Sequence, residues 1–482
     1  MFEIFTSFFM NKKTKIVCTL GPASNSLDKI VELIKAGMNV ARLNFSHGDY
    51  ESHSSLISNI RKAEKETGTR IAIIQDLQGP KIRVGKMPEK GVLVKKNEVI
   101  KLTIKKIEGG KTNGEAVIPV QYKNITKDVD VGDLVLINDG LVETKAIKVT
   151  PQNIFCKVKF GGYINSGNGV NLPSSDVSIK TITPKDKKDL QFGLKNKVDF
   201  VALSFVKSGE DIKELRKLME KNGGTAKIIA KIERHEAVSN LKEIIKHSDG
   251  AMVARGDLGT DIPAEYVPIV QKRIISLSNS MGKPVITATQ VLQSMVNKSR
   301  PTRAEISDAA NAVFDHTDAI MLSNETAVGK YPRKAVTTLT KVANTIEKEL
   351  KKHKELQEYI INKHYMSPIN ATCLNACELA MDSDADAIVV YTEDGYTANH
   401  IAKHRIYKPV ITITPHERIA HSLILTWGIN DFFVEKLPAD NSKKMKEILR
   451  IVKKEKFVKR GDKIVFVCNA KKEKGLISIV QI

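Results

Sequence analysis

Short apolar runs rich in β-branched residues recur along the first two thirds of the chain. Most of them are separated by stretches with apolar residues at i, i+3 and i+4. The first pattern is typical of buried strands and the second of amphipathic helices. Eight runs fit the strand pattern, at 15–20, 38–45, 71–76, 199–205, 226–233, 250–256, 284–289 and 318–323. This alternation predicts an α/β fold, a closed (β/α)8 (TIM) barrel, with a doubly wound open sheet as the structural alternative.

One long interval interrupts the alternation of strands and helices. Between Asp76 and Asp199 the chain shows little helical pattern before Pro184, and several strand-like pieces lie there instead. The Asn138-Asp139-Gly140 segment joins two of these pieces, and such a sequence favours a hairpin turn. We therefore predict an all-β lid domain at 85–181, inserted after the third barrel strand and placed above the barrel mouth.

A separate α/β pattern follows residue 352 and predicts a C-terminal α/β domain over 353–482, of regulatory type. The predicted barrel then consists of 13–84 and 182–352. Residues 1–12 are interpreted as an N-terminal extension, because the apolar MFEIFTSFFM segment lacks the basic start and cleavage site of a signal peptide. Met10 is our hypothesis for the true start. No apolar run approaches the roughly 20 residues that a membrane span needs.

Charge and cysteine content narrow the functional classes. The 482 residues include 76 Lys and Arg against 55 Asp and Glu, a formal net charge of +21. Such a charge can indicate nucleic-acid binding. However, acidic residues separate the lysines and we find no RNA-recognition or zinc-finger signature, which favours a solvated lysine-rich face. The five scattered cysteines form no CxxC pair and predict reduced thiols in a cytoplasmic protein.

Polar residues follow the ends of most predicted barrel strands. Active sites of this fold lie at the carboxyl ends of the strands, so we expect these side chains to meet at one mouth. The set comprises Arg42, Asn44, Ser46, Asp76, Ser204, Lys207, Lys231, Glu233, Arg255, Gly256, Asp257, Thr289, Gln290, Ser323 and Glu325.

Lys231 ends an apolar run, and Glu233 follows two residues later on the same side of the strand. From the residues alone, this lysine fits a Schiff-base nucleophile, a general base, a positive charge for a phosphoryl group or an ordinary ion pair. Glu233 and Asp257 end neighbouring strands and suit Mg²⁺ better than zinc, unless they are structural acids. The glycines of 255–259 allow an anion to approach the start of a helix that we predict near Pro263.

Nine stretches together closely resemble the pyruvate kinase family over nearly the whole chain after Met10. They are TKIVCTLGPAS (14–24), ARLNFSHG (41–48), QDLQGPKIR (75–83), NLP (171–173), IIAKIERHEAV (228–238), MVARGDLG (252–259), TATQVLQSM (287–295), RPTRAEISDAANAV (300–313) and MLSNETAVGKYP (321–332). The block around Lys231 is the family's signature. The resemblance implies the same domain order and the transfer of a phosphoryl group from phosphoenolpyruvate to ADP in glycolysis, giving ATP and pyruvate.

The resemblance also implies roles for residues at matching positions. Lys231, Arg42 and Thr289 form the catalytic set, and Lys231 stabilises the transferring phosphoryl group. Glu233 and Asp257 bind Mg²⁺ or Mn²⁺. The substrate-binding set is Arg42, Lys231, Gly256, Asp257 and Thr289, and the ATP/ADP-binding set is Asn44, Ser46, His47, Arg83 and Lys185.

Two regions depart from the family pattern. The family's monovalent-cation pocket corresponds to Asn44, Ser46, Asp76 and the carbonyl of Leu77. This chain has Lys81 where many members have Glu, and a fixed positive charge there predicts activity without K⁺. The loop 392–397 carries two acidic residues where members regulated by sugar phosphates have a Ser/Thr-rich loop. The resemblance implies a phosphorylated effector of the C-terminal domain, whose identity stays open, and a homotetramer.

Two other functions compete with this interpretation. One is a different barrel enzyme that handles phosphoenolpyruvate or pyruvate with Mg²⁺, such as an aldolase or a mutase, although most of these lack the lid and the C-terminal domain. The other is a basic RNA-binding protein that has lost catalysis. The retained Lys231, Glu233, Asp257 and Thr289 weigh against it.

Overall fold

The structure is a computed structural model, and it describes residues 12–112, 114–173, 175, 177–352, 368–434, 437–438, 440–455, 457–468 and 476–482. The hypothesis that the chain starts at Met10 lies outside these residues. Among the described helices, none is long and apolar enough to cross a membrane.

The strands of the described chain fall into a barrel, a lid and a C-terminal sheet. They are β1 (Lys15–Thr19), β2 (Val40–Asn44), β3 (Ala72–Asp76), β4 (Val92–Val94), β5 (Val99–Thr103), β6 (Gly110–Thr112), β7 (Glu115–Pro119), β8 (Leu134–Ile137), β9 (Val142–Val149), β10 (Asn153–Phe160), β11 (Gly162–Ile164), β12 (Val170–Asn171), β13 (Phe200–Leu203), β14 (Lys227–Ile232), β15 (Gly250–Ala254), β16 (Val285–Ala288), β17 (Ala319–Leu322), β18 (Ala387–Tyr391), β19 (Val410–Thr414), β20 (Ile429–Val434), β21 (Lys463–Cys468) and β22 (Leu476–Gln481).

The helices lie mainly between these strands. They are α1 (Leu27–Ala36), α2 (Tyr50–Thr67), α3 (Ile125–Asp128), α4 (Pro184–Lys195), α5 (Gly209–Lys221), α6 (His235–Ser239), α7 (Leu241–His247), α8 (Arg255–Asp261), α9 (Val267–Ser280), α10 (Arg303–Phe314), α11 (Asn324–Ala327), α12 (Pro332–Lys352), α13 (Pro368–Asp382), α14 (Tyr396–Ala402), α15 (Glu417–Leu423) and α16 (Asn441–Lys454), with 3₁₀ turns at Ala264–Tyr266 and Gln293–Val296.

Eight parallel strands close into the barrel in the order β1, β2, β3, β13, β14, β15, β16, β17, and β17 pairs with β1. Each strand coincides with one of the eight predicted runs. The prediction of a closed barrel is therefore confirmed, and the open-sheet alternative is wrong. Because all eight strands are parallel, their carboxyl ends meet at one mouth.

Local sequence signals set the ends of several barrel helices. The Ser26 side chain accepts a hydrogen bond from the Lys29 N–H at the start of α1, and Gly37 ends that helix with φ 119°. Thr302 and Glu305 form a reciprocal capping box at the start of α10. Such caps satisfy backbone donors that the first turn leaves unpaired, so they hold the loops at the barrel ends in place.

Apolar side chains fill the inside of the barrel, and the C-terminal domain contributes to this core. Ile424 and Leu425, which follow α15, pack in the same buried cluster as the inward-facing residues of the strands. The other members of the cluster are Val17, Val40, Ala72, Ile74, Phe200, Ala202, Ile229, Met252, Ile286, Ala288, Ala319 and Met321. The barrel interior is therefore a packed core.

The lid contains β4–β12, in a seven-stranded sheet and a two-stranded sheet. The predicted hairpin is present, because β8 and β9 pair antiparallel with Ile137 opposite Val142. Asn138 and Asp139 have φ values of 59° and 53°, the left-handed conformation that such turn residues tolerate. The one-turn helix α3 is an addition to the predicted all-β content. The boundaries 85–181 stay a prediction.

The C-terminal domain is a five-stranded sheet in the order β20, β19, β18, β21, β22, with the last strand antiparallel. Its α/β character confirms the prediction. A buried ion pair joins it to the barrel, since Arg405 makes two 3.0 Å contacts with the Asp318 carboxylate beside β17. All five cysteines are buried and free, as predicted from their spacing.

Candidate functional site

Lys231 lies near the carboxyl end of β14, with its ammonium directed at three partners. Its Nζ is 2.7 Å from Ser204 Oγ, 3.2 Å from Asp76 Oδ1 and 2.9 Å from Glu233 Oε1. Burial by itself lowers the pKa of Lys231, but the carboxylates of Asp76 and Glu233 outweigh it and raise the pKa above that of an ordinary lysine. The ammonium is therefore protonated at neutral pH.

Asp76 connects this lysine to Arg42. Its Oδ2 accepts a 2.7 Å hydrogen bond from Arg42 Nε, and the Arg42 guanidinium also donates to Thr19 Oγ1 at 2.9 Å. Burial raises the pKa of Asp76, but Lys231 and Arg42 outweigh it and hold the pKa below its usual value. The carboxylate is thus ionised and fixes two cations at the mouth, each with its side chain only 11% exposed.

Glu233 follows β14 and is almost completely buried. Its Oε2 accepts a 2.7 Å hydrogen bond from the Phe205 N–H. Its Oε1 is within ion-pair distance of Lys231 but receives no hydrogen bond from any described residue. Burial and the nearby Asp257 raise the pKa of Glu233 despite the attraction of Lys231. Glu233 Oε1 already lies 2.9 Å from one cation, the Lys231 ammonium, and a buried carboxylate of this kind is a fitting ligand for a metal ion.

Asp257 lies in the first turn of α8, which begins directly after β15. Its Oδ1 is 3.1 Å from Lys81 Nζ, and both side chains are about a quarter exposed, at 27% and 25%. Two hard oxygen donors, Glu233 and Asp257, therefore face one mouth with solvent access. This donor set fits a divalent cation such as Mg²⁺, which combines a few carboxylates with waters and substrate oxygens.

Gly256 and Thr289 lie together across the ends of β15 and β16. The Gly256 N–H donates a 2.7 Å hydrogen bond to Thr289 Oγ1. Thr289 has a left-handed φ of 66°, and Arg255 holds this turn by donating to the Thr289 carbonyl at 2.8 Å and to Asp308 at 2.6 Å. The turn therefore presents a hydroxyl beside a backbone N–H, a pair that suits a carboxylate or phosphate oxygen.

The glycine-containing segment differs from the prediction in one respect. We expected the glycines of 255–259 to precede a helix starting near Pro263, but α8 already begins at Arg255 and a 3₁₀ turn separates it from α9. Two glycines lower helix propensity, and contacts of Arg255 and Gly256 with the neighbouring turn compensate for this. Asp257 consequently lies on a helix rather than on a loop.

The residues matched to nucleotide binding lie around the edge of the mouth. Asn44 Oδ1 accepts a 3.1 Å hydrogen bond from the Ser46 N–H, and His47 beside them is exposed. Lys185 donates to the Phe45 carbonyl at 2.6 Å, which brings α4 to the same loop. Arg83 lies where the chain enters the lid, and it donates to the Gly167 carbonyl at 3.0 Å.

Two residues of the strand-end set do not point into the mouth. Lys207 donates to the carbonyls of Val177 and Ile179 and so holds the segment that returns from the lid. Glu325 is buried and accepts hydrogen bonds from the backbone N–H groups of Leu292 and Ser323. We expected the side chains at the strand ends to meet at the mouth, and these two instead bind backbone groups of adjacent loops.

The sequence missed the role of Ser204 and the central position of Asp76. Ser204 Oγ accepts from Lys231 and donates to the Leu77 carbonyl at 2.7 Å, so it orients the ammonium. The sequence placed Asp76 among the strand-end residues and in the monovalent-cation pocket, and it gave Asp76 no role in holding Lys231 and Arg42. The position of Asp76 at the end of β3, next to strands whose ends carry cations, could have indicated this role.

The lid borders this site. Asn171 and Leu172 of the lid line one cavity of about 30 Å³ together with Phe205 and Glu233 of the barrel.

Comparisons with known proteins agree with this arrangement. The family model for the pyruvate kinase barrel domain matches residues 11–336, and the model for the pyruvate kinase alpha/beta domain matches residues 370–482. A pyruvate kinase from Geobacillus stearothermophilus is 44% identical over 87% of this chain and 71% of its own length. One from Corynebacterium glutamicum is 40% identical over 96% of this chain and 95% of its own.

A solved structure shows the same fold. The crystal structure of a pyruvate kinase from Cryptosporidium parvum aligns with a TM-score of 0.88 and 36% identity, covering 98% of this chain and 97% of that one. Together with the two family models and the curated relatives, this likeness extends over all parts of the described fold. The chain therefore belongs to the pyruvate kinase family of phosphotransferases.

Proposed function

We propose that this chain transfers the phosphoryl group of phosphoenolpyruvate to ADP, giving pyruvate and ATP, as a cytoplasmic enzyme of glycolysis. The observation that carries the proposal is the charge of Lys231. A buried ammonium paired with Asp76 and Glu233 has no free lone pair, which disfavours a Schiff-base nucleophile or a general base. A fixed positive charge at a barrel mouth instead suits a transferring phosphoryl group, whose reaction depends on positioning and electrostatics.

Two groups of residues would bind phosphoenolpyruvate, one at its phosphoryl group and the other at its carboxylate. Arg42 and Lys231 would hold the phosphoryl oxygens, because Asp76 keeps both cations at the mouth. The carboxylate would accept hydrogen bonds from the backbone of Gly256 and Asp257 and from the Thr289 hydroxyl. The Gly256 N–H now donates to Thr289 Oγ1 at 2.7 Å, and that hydroxyl donates to the Ala288 carbonyl at 2.7 Å, so both donors would exchange these partners for the substrate oxygen.

Glu233 and Asp257 would hold Mg²⁺ or Mn²⁺. The buried Glu233 carboxylate and the solvent-accessible Asp257 support this assignment. When bound, such a cation would supply positive charge that offsets the negative charge of the phosphate oxygens during transfer. The hydrogen bond from the Phe205 N–H to Glu233 and the contact of Lys81 with Asp257 hold the two carboxylates in place.

ADP would bind along the edge of the mouth, against Asn44, Ser46, His47, Arg83 and Lys185. Arg83 approaches this edge from the lid side and Lys185 approaches it from α4. Their positive charges suit the negative charge of a diphosphate. Lys185 also pairs with Asp189 at 2.6 Å. Neither Arg83 nor Lys185 is buried, so each can exchange its present partners for a ligand.

Activity without K⁺ is a further part of the proposal. The Lys81 ammonium, 3.1 Å from Asp257 Oδ1, supplies a monovalent positive charge next to the proposed metal ligand. Asp76 already pairs with Arg42 and Lys231, and the Leu77 carbonyl accepts from Ser204. These groups of the family's cation pocket therefore have internal partners, which supports Lys81 as the substitute for K⁺.

Regulation and assembly rest on the resemblance to the family. In the 392–397 loop the Gly395 and Tyr396 N–H groups already donate to Thr392 Oγ1 and Asp394 Oδ1, at 3.0 and 2.9 Å. A phosphorylated effector would have to compete with these bonds and with the acidic side chains. Titration with AMP and sugar phosphates at sub-saturating phosphoenolpyruvate tests for it, and light scattering tests for a homotetramer of the 53.4 kDa chain.

A coupled assay of pyruvate formation tests the central reaction. We expect ADP-dependent conversion of phosphoenolpyruvate in buffer that contains Mg²⁺ and no K⁺. An aldolase or mutase would consume phosphoenolpyruvate or pyruvate without forming ATP. The absence of ATP formation, together with RNA affinity that falls steeply with salt, would favour a nucleic-acid-binding protein instead.

A further inference from the structure

We propose that Asp261 is a positioning residue that fixes the two carboxylates of the metal site, Glu233 and Asp257, relative to each other. The inference rests on the proposed divalent-cation site and extends it to a residue that is not one of the proposed ligands. Asp261 is the last residue of α8 and is 8% exposed.

The two metal ligands are carried by segments that diverge. The paired register of β14 and β15 runs as far as Ile232 opposite Val253. Beyond this pair the chain after β14 turns into α6 with Glu233 on the way, while the chain after β15 turns into α8, which carries Asp257. The hydrogen-bond ladder of the barrel therefore ends before either ligand, and other contacts must set their separation.

Asp261 supplies such a contact at the start of α6. Its Oδ2 accepts a 2.7 Å hydrogen bond from the His235 backbone N–H and lies 2.8 Å from His235 Nδ1. One carboxylate oxygen thus holds both the backbone and the ring of the residue two positions after Glu233. Hydrogen bonds to an ionised carboxylate are stronger than neutral ones, especially where solvent is limited.

The same contact also sets the rotation of α8. Asp257 and Asp261 are four residues apart, so they lie on one face of the helix about one turn apart. With Asp261 held against His235, the Asp257 side chain is directed to the mouth, where it meets Lys81. Loss of the contact would let the short helix rotate or shift, which changes the distance between the two ligands.

His235, Glu236 and Asp261 could alternatively hold a metal ion themselves, since one ligand atom of each lies within 4.8 Å of the others. The contacts in the structure favour hydrogen bonding. Arg234 binds both oxygens of Glu236, at 2.8 and 2.9 Å, and the His235 N–H already occupies Asp261. A metal ion there would have to displace a cation that is already in place.

The affinity of the substrate-free protein for Mn²⁺, measured by isothermal titration calorimetry, tests the proposal without relying on activity. We expect Asp261→Ala to raise the Mn²⁺ Kd about tenfold or more, as is typical when support for a ligand is removed. Asp261→Asn keeps an acceptor oxygen for the His235 N–H and should restore most of the affinity. The variants' melting temperatures verify that they fold.

Asp249 is a matched control at the opposite end of the same two strands. Its Oδ2 accepts hydrogen bonds from the Ile228 N–H at 2.8 Å and from Arg216 at 3.0 Å. Asp249 directly precedes β15 and Ile228 lies on β14, so this carboxylate also links the two strands, but at the end far from the mouth. We expect Asp249→Ala to lower stability and to leave the Mn²⁺ Kd unchanged. An equal loss of affinity in both alanine variants would overturn the positioning role.

The other outcomes are equally decisive. A Mn²⁺ Kd for Asp261→Ala within twofold of wild type overturns the proposal while leaving the metal site intact. If the wild type binds two Mn²⁺ ions and Asp261→Ala binds only one, Asp261 is itself a metal ligand. That result also overturns the positioning role. If Glu233→Gln binds Mn²⁺ as tightly as wild type, the proposed metal site itself fails, and the positioning role fails with it.

Discussion

Lys231 Nζ and Asp76 Oδ1 lie 3.2 Å apart, and their side chains are 11% and 1% exposed. This pair comes from β14 and β3, strands that β13 separates in the barrel. Asp76 also holds Arg42, so one buried carboxylate pairs with two cations that face the mouth. The positive charge available to a substrate is therefore built into the closed barrel before any ligand binds.

Replacement of Asp76 by Asn should destabilise the protein and impair the reaction. Two cations would be left without their shared counter-charge, and breaking a buried ion pair in this way costs about 3–5 kcal/mol. We expect a lower free energy of unfolding in urea and a reduced kcat/KM for phosphoenolpyruvate. Asp384→Asn, which removes an exposed partner of Lys408, is the control and should change neither. Similar effects of the two variants would contradict the central position of Asp76.

Replacement of Lys81 by Glu should create a dependence on K⁺. The change places a second carboxylate next to Asp257, where the wild type has an ammonium at 3.1 Å. Added K⁺ would then offset the repulsion that the lysine now prevents. The measurement is the pyruvate-formation rate as a function of KCl at constant ionic strength.

Lys86→Glu is the control for this charge reversal, because Lys86 is paired with Glu108 on an exposed part of the lid. We expect its rate to stay independent of K⁺. Strong activation of the wild type by K⁺, or equal K⁺ responses of the two variants, would show that Lys81 does not replace the ion.

The contact between His421 and Glu64 should make the domain interface depend on pH. His421 Nε2 on α15 is 3.1 Å from Glu64 Oε1 on α2. Burial lowers the pKa of His421, but Glu64 and Asp199 outweigh it and raise the pKa above 6.5. The charged histidine therefore stabilises the fold fully below pH 6.5, and this contribution is lost as the pH rises through the raised pKa.

Melting temperatures of wild type and His421→Gln between pH 6 and 9 check this sign. We expect the variant to be less stable at pH 6 and the difference to shrink toward pH 9. His416→Gln, an exposed residue directly before the same helix, should show no such trend. A constant difference over the whole range would mean that the histidine acts by packing alone.

Local patterns explain why the barrel could be predicted from the sequence. Each barrel strand is a short run in which most residues are apolar, and the Asn138-Asp139-Gly140 turn is defined by its own residues. The helix α8 could not be predicted in the same way. Its glycines argue against a helix, and the contacts of Arg255 and Gly256 that stabilise it come from the 289 turn and from Asp308.

The pairings within the site depend on the closed barrel. Arg42, Asp76, Ser204 and Lys231 are separated by up to 189 positions, and only the neighbouring ends of β2, β3, β13 and β14 bring them together. The sequence placed each of them at a strand end. The register that turns them into one ion-paired cluster is a property of the barrel and is not visible in any single segment.

The steady-state rate of pyruvate formation by Lys231→Met tests the central claim most directly. The methionine keeps the volume of the side chain and removes the charge that Asp76 and Glu233 hold at the mouth. With saturating phosphoenolpyruvate, ADP and Mg²⁺ we expect kcat to fall by about 1,000-fold or more, as for other groups that stabilise a transferring phosphoryl. Lys227→Met, at the other end of the same strand, should keep the wild-type rate. A rate near that of wild type for Lys231→Met, in a folded protein, would contradict the account.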